Sequence, residues 1–130
     1  MEGAIMQLVA VSVATLILLA LSAFQIALAA GAPFGRFAWG GEYRVLPAMQ
    51  RIASVVSVPI YALAASFPLQ KAGLVSIWPA GFIEPGIWTI ACTLAVSIGL
   101  NAMSRSRPER MVMTPVAAVL AVLFFIVSLS

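Results

Sequence analysis

All eleven charged side chains of this 130-residue sequence fall between, or at the ends of, four long uncharged stretches. That distribution constrains the chain more than any other feature in it. A helix that crosses the hydrocarbon core of a bilayer needs about 20 apolar residues. The stretches near 4–30, 51–67, 84–102 and 111–129 supply four such spans. Membrane β-strands would show alternating segments of about ten residues, whereas here the apolar runs are continuous. A soluble domain carries about 25% charged residues. This chain has 8%, with 63% hydrophobic, which excludes a soluble domain, a disordered chain and a disulfide scaffold. The expected fold class is all-α: one membrane bundle of four transmembrane helices, up-down-up-down, forming a single domain over 1–130.

The first span is longer than the minimum, so it tilts or overhangs into the interface. Ala27-Leu28-Ala29-Ala30 has the form of a signal-peptidase site. The region before the run carries Glu2 and no basic residue, and the run is too long for a signal core, so a retained span is expected. Residues 31–50 form a connection rich in Gly, Pro, aromatic rings and Arg, which suits the headgroup layer. The second span contains Pro59, where a kink is expected because a backbone donor is lost, and Pro68 is expected to close it. Leu74–Trp78 in the second connection is expected to rest on the membrane surface. Glu84-Pro85 opens the third span, where a carboxylate and a proline both suit a helix start. Ser104–Arg110, the most polar stretch, precedes the fourth.

Basic residues fix the expected orientation. The first connection and its flank carry Arg36, Arg44 and Arg51, and the third carries Arg105, Arg107 and Arg110. The second carries only Lys71. With four spans, the first and third connections share a side, giving six basic residues against one. The positive-inside rule puts that side in the cytoplasm and both termini outside.

Few residues suggest chemistry. Gln25 is the most polar residue well inside a span, and Ser22 lies near the same helix face. The expected role of Gln25 is an interhelical hydrogen bond, worth about 0.6–2 kcal/mol; a ligand contact is the alternative. Ser54, Ser57 and Tyr61 lie along one side of the second span and are candidates for a polar seam with Gln25. Alternatively, the serines return their hydroxyls to their own helix. Asn101 is expected to cap the third span. Arg36, Glu42, Arg44 and Arg51, with Arg105, Arg107, Glu109 and Arg110, are the candidate cytoplasmic contacts. Attraction to anionic headgroups, about 1 kcal/mol per basic residue, is favoured over an ion-pair cluster between the two connections. Ala91, Ala95 and Gly99 give the best small-residue spacing for close helix packing, ahead of Ala23/Ala27 and Ala117/Ala121. Cys92 reads as a small buried apolar residue.

Gly31-Ala-Pro-Phe-Gly-Arg-Phe-Ala-Trp-Gly-Gly41, with Leu46-Pro47 and Arg51-Ile52, forms one recognisable stretch. Asn101-Ala-Met-Ser-Arg-Ser-Arg-Pro-Glu-Arg110, followed by Pro115, forms another. Together they resemble a group of small four-span bacterial membrane proteins with no established activity. The resemblance implies a bacterial cytoplasmic membrane and the four-helix layout, and carries over no catalytic role.

Intramembrane ionisable residues mark ion and proton pathways, and every charged group here lies at a span end or in a connection. The chain has no His, no phosphate-binding Gly loop and no paired carboxylates, so no cofactor, metal, nucleic acid or catalysis is expected. The expected function is that of an accessory or interaction subunit, whose partners are the bilayer, anionic lipid, and a second membrane protein or further copies of itself. The alternative is a small oligomeric transporter or binding module built on the seam around Gln25.

Overall fold

The computed structural model describes all 130 residues, Met1–Ser130. Four helices carry the chain: α1 (Glu2–Ala29), α2 (Ala48–Lys71), α3 (Ile83–Ala102) and α4 (Arg107–Leu129). At 1.5 Å per residue they are about 42, 36, 30 and 35 Å long, against a hydrocarbon core of about 30 Å. All four are long and apolar enough to cross a membrane. Single 3₁₀ turns punctuate the connections at Gly35–Phe37, Trp39–Gly41 and Ala80–Phe82.

The helix ends follow from local chemistry. α1 stops where Gly31 enters the left-handed region at φ +98°. Ala32 N–H then bonds to Ala27 O, and Gly31 N–H to Leu28 O, the paired closure of a Schellman motif. α2 ends the same way at Gly73, φ +81°, with Leu74 N–H on Leu69 O and Gly73 N–H on Gln70 O. Pro68 therefore does not close the second span. A proline removes its own donor but leaves its carbonyl, and Pro68 O accepts from Ala72 N–H. At the other end the helix starts three residues before Arg51. Leu46 O accepts from Arg51 Nε at 2.8 Å, fixing the entry. The helix runs on through Pro59.

α4 begins four residues before the expected Met111. Ser106 caps it by accepting from Glu109 N–H, and Pro108 stands in the first turn, where its missing N–H costs nothing.

Successive helices alternate in direction. Where α1 and α3 begin and α2 and α4 end, Gln7 Nε2 donates to Ser130 Oγ at 2.8 Å and Lys71 pairs with Glu84. At the opposite end the first and third connections meet, with the Ser106 hydroxyl donating to Arg36 O. The buried core, including Val11, Leu18, Ile87, Leu120 and Phe124, lies toward the Lys71–Glu84 end. There α2 and α3 cross closely. A Cβ on Gly86 would stand 2.6 Å from the Phe67 ring. Elsewhere α2 and α3 are the least engaged neighbours.

Only 20 of 130 residues are buried, and the outward faces are Leu, Ile and Val, as a lipid-facing surface requires. Small residues do not all pack inward. Ala117 and Ala121 are buried, but of Ala91, Ala95 and Gly99 only Ala91 is. The expected packing stripe on the third span instead turns its last two members outward. Cys92, expected to be buried, is exposed on the outer face of α3.

Candidate functional site

Past the Phe67–Gly86 crossing, the four helices leave a cleft of about 470 Å³ toward the Arg-rich end. One stripe of each helix lines it. From α4 come Glu109, Met113, Val116, Ala117, Leu120 and Phe124, spaced by three and four residues as a single helix face demands. The lining changes character along its length. Leu18, Leu120 and Phe124 make the apolar end. Ser54, Ser97, Asn101 and Glu109 make the polar end.

Gln25 and Tyr61 meet in this cleft, with Gln25 Nε2 donating to Tyr61 OH at 3.2 Å. Ser54 is 2% exposed, and its Oγ has no hydrogen-bond partner. Ser57 returns its hydroxyl to Ala53 O. Ser22 does the same to Leu18 O and does not line the cleft, so it falls outside the expected seam. Asn101 does not cap α3. Its Nδ2 donates one N–H to Ser97 O at 2.9 Å, which leaves the side-chain carbonyl and the second N–H free. Thr114 Oγ1 is a second buried hydroxyl without a partner, on α4 but away from the cleft.

The first connection roofs the polar end through Phe37, Ala38 and Trp39. Its base is tied by Gly35 N–H on Arg44 O, where any Cβ on Gly35 would collide with Tyr43 O. Trp39, Gly40 and Gly41 follow one another at φ 54°, 69° and 72°. Left-handed backbone at a bulky non-glycine residue costs about 1–3 kcal/mol. Two contacts, one from α4 and one from its capping residue, hold the turn. Glu109 Oε2 accepts Gly40 N–H at 2.9 Å, and Gly41 lies so close to Ser106 that a Cβ would stand 2.5 Å from it.

Glu109 is the one charged side chain on the cleft wall. No Arg lines the cleft. Arg51 binds Leu46 O, Arg110 Nη1 binds Ser104 O at 3.0 Å, and Arg36 lies over the Phe37 ring at 4.9 Å. No ion pair joins the two connections. The chain's salt bridge is Lys71–Glu84 at the other end. A cluster of Arg36, Glu42, Arg44, Arg105, Arg107 and Glu109 is therefore not formed. Glu42 stays exposed, and Glu109 spends an oxygen on backbone.

Gln70, which carried no expectation, organises the second connection. Its Oε1 accepts from Ile77 N–H and Trp78 N–H, and its Nε2 donates to Trp78 O at 2.7 Å. Trp78 stacks on Phe67 at 5.1 Å and donates Nε1–H to Ser66 Oγ. Leu74 and Ile77 remain exposed. Comparison of the chain with protein-family models, with curated proteins and with solved structures gives no match.

Proposed function

We propose that this is a multi-pass protein of the bacterial cytoplasmic membrane that binds a small amphipathic molecule in the cleft without acting on it chemically. The observation that carries the reading is Ser54: a fully buried hydroxyl with no partner, on the wall of a cleft of about 470 Å³. Small-molecule sites span about 300–1,000 Å³ and are mostly apolar with a few placed polar groups. Leaving a buried hydroxyl unpaired costs about 1–3 kcal/mol, and a polar atom of a bound molecule removes that cost. Gln25, Tyr61 and Asn101 extend the polar wall within reach of the same occupant. One chain completes this cleft. Lipid accounts for the outward apolar faces as well as a partner helix does, so the accessory-subunit reading has no comparable support.

In this reading the six Arg set orientation and meet anionic headgroups. The Arg-rich end faces the cytoplasm and both termini face outward.

Native mass spectrometry of the protein released in native-membrane particles tests the reading. The expected result is one discrete small mass retained per chain, lost in Ser54→Val. Bare protein, or protein with only heterogeneous bulk lipid, overturns it.

A further inference from the structure

We infer that the occupant is a long-chain amphiphile with a net cationic ammonium head, the head held by Glu109 beside Trp39 and the chain running toward Phe124. The inference rests on the cleft being a binding site and adds what it selects.

Length argues for an extended tail. Glu109 and Phe124 are fifteen residues apart on α4 and both line the cleft, a distance of about 22 Å along the helix. The gradient from Ser54 and Asn101 to Leu120 and Phe124 sets its direction: head toward the first connection, tail toward the core.

Charge argues for the head. Six Arg gather at this end of the molecule, yet none lines the cleft, while Glu109 does. One of its oxygens takes Gly40 N–H; the other has no protein donor. Asn101 gives one N–H to Ser97 O, and its carbonyl oxygen is a second acceptor. An anionic head would meet a carboxylate, with no Arg on the cleft wall. An ammonium would meet the carboxylate and the Asn101 oxygen, with Trp39 on the same wall. Trp39 is held at its left-handed φ by the turn that Glu109 itself pins, so roof and counter-charge form one unit.

The test uses the full chain in phosphatidylcholine nanodiscs. Hexadecylammonium, hexadecanol and hexadecanoate are added at matched mole fractions, and bound molecules per chain are counted by native mass spectrometry. Saturation is expected at one hexadecylammonium per chain, with hexadecanoate at least tenfold weaker. Glu109→Gln keeps an acceptor for Gly40 N–H but removes the charge. It should weaken the ammonium compound about tenfold, the scale of a lost charged hydrogen bond, and leave hexadecanol unchanged. If that variant does not fold, judged by its melting temperature in the same discs, the wild-type ratio of ammonium to carboxylate amphiphile decides. Hexadecanoate binding as tightly as the ammonium compound overturns the head assignment while the cleft reading stands. Phosphatidylcholine, whose head has no net charge, held in preference to the ammonium compound overturns the assignment of a cationic head. No saturable binding of any of the three overturns both.

Discussion

At the scale of single residues, Glu109 shows how a local motif is diverted. Ser106-Arg-Pro-Glu109 has the form of a capping box, in which the Glu reaches back to the N–H of the capping Ser. Here Ser104 Oγ takes that N–H at 3.2 Å, which frees Glu109 for Gly40 and the cleft. Nothing in the spacing of residues announces this, because the partner lies 69 positions away. Gln25, Ser54 and Tyr61 were legible, since polar groups inside apolar runs stand out. Gln25→Leu and Tyr61→Phe should each destabilise the fold by about 0.6–2 kcal/mol. The double variant should cost no more than the larger single one, as thermal unfolding in detergent can measure. Ser54→Ala should raise the melting temperature of ligand-free protein, because it removes a buried hydroxyl that has nothing to bond. A fall would show that the hydroxyl is satisfied in the folded protein.

At the scale of elements, the four helices were legible from apolar runs and their ends only in part. Pro68 looks like a terminator because a proline interrupts hydrogen bonding. The stop is Gly73, because left-handed backbone closes the last carbonyls onto the chain beyond. Gly73→Ala should cost about 1–2 kcal/mol, the penalty for a Cβ in the left-handed region. A neutral result would mean that the Schellman closure does not form. Spacing also reveals that small residues share a face without revealing where the face points. Ala91, Ala95 and Gly99 have better spacing than Ala117 and Ala121, yet it is the pair on α4 that packs. The close α2–α3 crossing rests on a single glycine that no periodicity marks. Gly86→Ala should destabilise the bundle, and Phe67→Ala in that background should recover part of the loss. Additive losses in the two variants would place the ring elsewhere.

At the scale of the whole molecule, the membrane architecture was legible because burying so many apolar residues leaves few alternatives. The cleft was not, because it depends on how α2 and α3 separate, which is set by contacts between distant parts of the chain. The proposed orientation predicts that a reporter fused after Ser130 reads outside the cytoplasm. Met103→Cys in a Cys92→Ala background should react with impermeant maleimide only from the cytoplasmic side. Reaction from the opposite side would reverse the molecule and place the cleft toward the outer leaflet.

The lengthwise asymmetry of the bundle has a thermodynamic consequence. The half around Ile87, Leu120 and Phe124 is packed and clasped by Lys71 and Glu84, whereas the Arg-rich half holds the empty volume. On the proposed reading, an occupant exchanges with a single leaflet. While flip-flop between leaflets is slow, its chemical potential in the cleft equals that in the adjoining leaflet. Occupancy would then follow the composition of one face of the membrane and ignore the other, as a one-sided gauge does and a conduit does not.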